Sequence, residues 1–265
     1  MPFFVRFHTF KALLVITLLI ALEVQATEFY GREANDKVKG ASVLRINPHT
    51  NQIQFVLLEE HVLVKESEAF QYMKRLYKVD AGTDFRLLRK EQDELGFTHY
   101  RYQQTVNGAD VLGGVLILHC KNGRLHSING EYFKLNRPLQ TIHFTEKQAL
   151  ELAKDSIRAK SYMWEHPEEE AILKEILEDP QATYYPKAQM FFVPANLIFN
   201  HQNFQLCYKF NIHGFEPRSA ENIYISVETG EVVARENQLH TTDVTGTAVT
   251  KYSGNKTILT DSTAP

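Results

Sequence analysis

Two short stretches of alternating side chains frame the middle of the sequence. Thr98 to Val106 and Val111 to Cys120 both read as extended strands, and the pair Asn107-Gly108 separates them. Asn and Gly tolerate the positive φ that a two-residue hairpin turn demands, so the pair predicts a tight hairpin. Phe85–Leu88 precedes these strands, and Arg124–Ile128 follows across a second Asn-Gly turn, Asn122-Gly123. Along Thr98–Val106, alternate residues face opposite sides. His99, Arg101 and Gln103 share one side, read as a polar surface stripe or a face that receives another protein; Tyr100, Tyr102 and Gln104 share the other.

Helical spacing occurs before this meander. Ala69, Phe70, Met73, Leu76 and Tyr77 follow the i, i+3, i+4, i+7 rule, with Ser67 as the candidate cap. Further back, Ile53 to Leu58 is an apolar run after the polar turn Asn47-Pro48-His49. The pattern then recurs. Thr145 with Gln148 forms a capping box, and Ala149, Leu150, Ala153 and Ile157 mark the buried stripe of a helix running to about Lys160. Pro167 opens another helix that ends before Pro180; its Glu168-Glu169-Glu170 run suits the positive end of the helix dipole. Strands are expected at Tyr184–Val193, Gln205–His213 and Asn222–Val227, with a turn at Thr229-Gly230 into Glu231–Ala234. The expected fold class is therefore α+β: two successive helix-plus-antiparallel-sheet units of cystatin-like form, then the start of a β-rich segment.

The N-terminus changes how much of the chain enters that fold. Arg6 and Lys11 flank an apolar core, Ala12 to Leu22, and Val24-Gln25-Ala26 offers small residues for a signal peptidase, with cleavage between Ala26 and Thr27. The apolar core is short for a bilayer span. Residues 1–26 are expected to be a signal peptide and the product secreted, with no stable membrane span. A division follows at 27–138, 139–237 and 238–265, the first break resting on Asn136-Arg137-Pro138.

Composition excludes more than it suggests. The 265 residues are 43% hydrophobic and 23% charged, with a net charge of -3, a globular balance without the basic surface that nucleic acid needs. Cys120 and Cys207 lie in apolar strands and read as buried thiols. The sequence holds no His-Glu-x-x-His string, no Gly-x-Ser-x-Gly elbow and no phosphate loop. His119 and His126 flank the second turn and read as strand histidines rather than metal ligands. No catalytic residue, metal ligand or cofactor is expected in this chain.

Three stretches resemble the precursor of a thermolysin-family zinc metalloprotease. Asp84 to Gly130 is similar to the fungalysin/thermolysin propeptide domain, with Gly96, His99, Arg101, Gln104, Asn107, Gly108, Val111, Gly113, Gly114, His119, Asn122, Gly123 and Gly130 in family-like register. Phe144 to Ala234 resembles a PepSY-type domain, although Ser226 stands where that family often has an acidic residue. Gly246-Thr247-Ala248 and Tyr252 to Thr260 resemble the first strands of a catalytic domain. The resemblance implies a secreted zymogen whose propeptide chaperones and inhibits its protease. It implies zinc, with calcium as a possible second metal, in a catalytic domain beyond residue 265, and that catalytic domain as an intramolecular partner. Processing is expected within Glu236, Asn237, Gln238, Leu239, His240, Thr241 and Thr242. The alternative is a free-standing secreted protease inhibitor or binding module.

Overall fold

The computed structural model describes residues 26–135, 141–199, 203–239, 243–250 and 254–261. The expected signal peptide up to residue 25, the Asn136-Arg137-Pro138 break and His240 to Thr242 lie outside the described residues. In chain order the elements are β1 (Thr27–Tyr30), α1 (Arg32–Lys37), β2 (Ala41–Ile46), β3 (Ile53–Leu58), α2 (Ala69–Leu76), β4 (Thr83–Gln92), β5 (Phe97–Val106), β6 (Ala109–Lys121) and β7 (Arg124–Gly130). Then come α3 (Glu146–Ile157), β8 (Ser161–Tyr162), α4 (Pro167–Ile176), β9 (Gln189–Pro194), β10 (Phe204–Glu216), β11 (Ser219–Ser226), β12 (Val232–Asn237), β13 (Asp243–Thr250) and β14 (Gly254–Asp261).

The architecture corrects the expected fold class. The chain is mostly β, and a single 12-stranded mixed sheet runs through what the sequence suggested were two helix-plus-sheet units. Its main path is β1-β2-β3-β7-β6-β9-β10-β11-β12, with β5 and β4 attached beside β6 and β8 beside β10. The join is a short parallel pairing of β6 with β9, Asp110 opposite Phe191 and Val111 opposite Phe192. β6 accordingly serves two cores. Leu116, Leu118 and Cys120 pack with Leu44, Val56 and Ile128 beneath α2, whereas Ala109 and Val111 pack with Phe204, Phe210 and Ile223 beneath α3. A pairing of two residues between strands some eighty positions apart leaves no local periodicity, so pattern reading stops at each hairpin. β13 and β14 form a separate two-stranded sheet.

Local chemistry explains the elements that the pattern placed well. Asn107 and Gly108 have φ of 49° and 85°, and Asn122 and Gly123 have 51° and 70°, as two-residue hairpin turns require. The Thr145 hydroxyl accepts from the Gln148 backbone N–H at 3.3 Å, and the Gln148 side chain accepts from the Thr145 N–H at 2.9 Å. Ala149, Leu150 and Ala153 are buried as expected. α3 ends at Ile157 rather than near Lys160, because Arg158 enters the left-handed region at φ 56°. Ser67 is not a cap: it lies in a 3₁₀ turn, Glu66–Glu68, that leads into α2. β1, α1 and β2 were missed; β1 and α1 are too short for a periodicity to register, and β2 carries its core residues at Ala41 and Leu44, out of strict alternation.

Gly108 provides a graded test of the first turn. A Cβ there meets nothing within 4 Å, so its penalty is conformational alone. Gly108→Ala is expected to cost about 1 kcal/mol and lower the melting temperature by roughly 2–4 °C. A melting curve unchanged from the parent would show that the turn does not need positive φ.

Candidate functional site

The strongest concentration of family-like residues surrounds a bend in β6. From Lys121 to Leu116 that strand pairs with β7 on one side, and at Asp110–Val111 it pairs with β9 instead. On its other side β5 follows throughout, but the register jumps. Gln103 faces Val115 and Thr105 faces Asp110, so Val111 to Gly114 stand opposite Gln104 alone. Such a bulge frees backbone groups that must find partners. Gln103 and Gln104 supply them. The Gln103 side-chain Nε2 lies 2.7 Å from the Val111 carbonyl, 3.0 Å from that of Gln104 and 3.1 Å from that of Gly114. The Gln104 amide donates to the Phe133 carbonyl at 2.6 Å and accepts from the Phe133 N–H at 2.9 Å, tying the chain that leaves β7 to the bend.

The glycines make room for this joint. A Cβ on Gly114 would sit 2.8 Å from Gln104 Oε1, one on Gly113 would sit 2.6 Å from the Phe199 ring, and one on Gly130 would sit 2.0 Å from the Val115 carbonyl oxygen. Gln104, Gly113, Gly114 and Gly130 are thus parts of one backbone joint. Asn107-Gly108 and Asn122-Gly123 are hairpin ends. Gln103 belongs to the joint as well and was read as a surface residue. Alternation keeps it on the side of His99 and Arg101, and it is buried there because its amide reaches the Val111 and Gly114 carbonyls of the bulged strand. Tyr100 and Tyr102 do lie on the α2 side, with the Tyr102 ring 4.9 Å from that of Phe70.

A second polar group lies on the opposite face of β5 and β6, where Arg101 and the ring of His99 sit. Arg101 is exposed and stands across from Arg89 on β4. His99 Nδ1 is 2.6 Å from His119 Nδ1, His99 Nε2 is 3.1 Å from Asp93 Oδ2, and His119 Nε2 is 2.5 Å from Asn129 Oδ1. Burial holds the His119 imidazole below the ordinary histidine range. Phe97 bridges to a third ring, 6.1 Å from His99 and 5.2 Å from His126 between centroids. Among the described residues no group of three or more His, Cys, Asp or Glu side chains is arranged to hold a metal ion. Cys120 and Cys207 are buried and unbridged, and burial pushes the Cys120 thiol up to about 11 and raises that of Cys207 further. Neither has the lowered pKa of a reactive thiol.

The expected processing region is split by the sheet. Glu236 and Asn237 are strand residues, opposite Asn222 and Glu221. The Glu236 carboxylate accepts from the Tyr224 hydroxyl at 2.6 Å and from the Asn222 amide at 3.3 Å. The Gln238 N–H donates to the Ala220 carbonyl at 2.7 Å, and Leu239 lies just past that contact. A protease binds its substrate as a free extended strand, so the bonds up to Gln238 are shielded while β12 stays paired. Ala26 and Thr27, the expected leader junction, stand where β1 begins. Ser226 is buried, and its hydroxyl accepts from the N–H groups of Glu228 and Thr229, closing the β11–β12 turn.

Comparison with known proteins places this geometry. Residues 83–132 match the family model described as the Fungalysin/Thermolysin Propeptide Motif. The chain is 23% identical over 212 residues to bacillolysin of Bacillus subtilis (strain 168), covering 74% of this chain and 37% of that protein. It is 26% identical over 197 residues to bacillolysin of Bacillus amyloliquefaciens, covering 71% and 34%. Among solved structures, the Bacillus megaterium YpeB C-terminal domain aligns with 82% of this chain and 91% of its own at 12% identity and a TM-score of 0.34. The chain spans little more than a third of the length of these bacillolysins. The motif match covers β4 to β7, the same strands that build the joint at Gln103, Gln104, Gly114 and Gly130. Together, the motif at residues 83–132 and the likeness to bacillolysin over most of the chain support a thermolysin-family propeptide region.

Proposed function

We propose that this chain serves a secreted thermolysin-like zinc metalloprotease as intramolecular chaperone and active-site inhibitor until cleavage separates them. The observation that carries the proposal is the propeptide motif over β4 to β7, set within a likeness to bacillolysin that extends over most of the chain. In this reading the partner is the protease catalytic domain, and the zinc chemistry is the partner's. No catalytic step is assigned to this chain in that reading. The second half, from α3 to β12, is the PepSY-like unit of the propeptide. Processing falls after Gln238, where the chain leaves its pairing with β11. A tethered domain acts at high effective concentration and loses that advantage once the link is cut. No helix among the described residues is long and apolar enough to cross a membrane.

The test is inhibition of a thermolysin-like protease by the purified chain, with zinc measured on the same sample. Inhibition that saturates at one chain per protease, with no bound zinc, is the expected outcome. A folded chain that neither inhibits the protease nor speeds refolding of its catalytic domain would overturn the proposal, as would stoichiometric zinc in the chain itself.

A further inference from the structure

The row Asp93–His99–His119–Asn129 links three strands and a turn on the sheet face opposite α2. Asp93 lies in the turn between β4 and β5, His99 on β5, His119 on β6 and Asn129 on β7. An ionised carboxylate only accepts, so His99 carries a proton on Nε2 and donates it to Asp93. Its Nδ1 then presents a lone pair to His119 Nδ1 at 2.6 Å. A single proton fits between those nitrogens. With it on His119 Nδ1, the row is satisfied whether Asn129 turns its oxygen or its amide nitrogen to His119 Nε2, since the two orientations are interchangeable assignments. The row therefore tolerates a neutral pair and a pair carrying one extra proton. A second extra proton puts two N–H groups head to head at 2.6 Å, with ring centroids 4.8 Å apart.

We propose that the His99–His119 pair is an acid-sensitive clasp that fastens the far end of the β4–β5 hairpin to β6 and β7 and opens when both rings are fully protonated. The groups around it set the balance. Asp93 touches His99, and Glu91, itself paired with Arg89, stands across from His99 on β4. Lys121, over the Phe97 ring, Arg101 on β5, His126 on β7 and Arg45, which lines the hollow beside His119 with Glu131, complete the charged and titratable surroundings. Burial lowers the affinity of His119 for a proton in the folded chain. The unfolded chain binds protons at the ordinary imidazole value, so stability is lost as pH falls through and below about 6.5. Opening would free the Asp93–Phe97 turn, where Leu95 is already 73% exposed. The inference stands on the row itself and not on the protease reading.

The experiment is urea unfolding of the purified chain between pH 7.5 and 5.0, for the parent and for His119→Gln. One proton excluded from the folded state lowers the folding constant about tenfold per pH unit below the imidazole range. The parent is expected to show that steeper decline relative to the variant. Parallel pH profiles would overturn the clasp. If His119→Gln does not fold, ring-proton NMR on the parent decides. Two linked rings, the last proton taken up only with loss of folded signal, support the proposal; two rings that each titrate fully near pH 6.5 in a chain that stays folded refute it.

Discussion

Gln104→Leu is expected to destabilise the chain by about 3 kcal/mol, the net worth of two buried hydrogen bonds together with desolvated backbone at their far ends. Gln104 is fully buried, and its amide makes both bonds to the Phe133 backbone, at 2.6 and 2.9 Å. Leucine fills similar space and makes neither. Gln104→Glu should do no better, because a carboxylate accepts from the Phe133 N–H but sets a second oxygen against the Phe133 carbonyl. Arg101→Ala provides the contrast: an exposed site away from the joint, expected to shift stability by less than about 0.5 kcal/mol. Urea midpoints of the three variants check the set. If Gln104→Leu and Arg101→Ala prove equal, the side-chain tie between the bend and Phe133 contributes nothing to stability.

Gly130→Ala is expected to be the more damaging change. At φ 126° no L side chain is comfortable, and the added Cβ would lie 2.0 Å from the Val115 carbonyl oxygen, with Leu116 Cα at 3.1 Å. Both obstacles are backbone, so no rotamer change relieves them. β6 and β7 must part at the point where β6 turns toward β9, at a cost of more than about 3 kcal/mol. Gly123→Ala isolates the conformational part. It has φ 70° with nothing within 4 Å of the added atom, and about 1 kcal/mol is expected. Near-UV circular dichroism and urea midpoints distinguish them: a native-like spectrum and equal midpoints for the two alanine variants would mean that the strands do not approach as closely at Gly130 as the structure places them.

The joint shows how far residues alone carry the argument. The two Asn-Gly turns, the strands they connect and the capping box at Thr145 were legible because each depends on neighbours within a few positions, where side-chain chemistry and φ preference act directly. Ser67 misled because a serine before a helical stripe is a good cap only if the helix begins there, and a 3₁₀ turn intervenes. Gln103 misled because a polar residue on a strand face reads as surface, whereas the carbonyls of Val111 and Gly114 in the bulged stretch of β6 hold its amide inside.

By itself the sequence determined the Asn-Gly hairpins, the capped helix α3 and, through the register of His99, Gln104, Gly108, Gly114 and Gly130, the likeness to a propeptide. Tertiary structure alone decided that the two expected units share one sheet, that Gln104 reaches Phe133, and that His99 meets His119 across the strands. Strand edges and buried amides are satisfied by whichever partner the whole chain brings near, and hydrogen-bond complementarity at that distance leaves no period in the sequence to read.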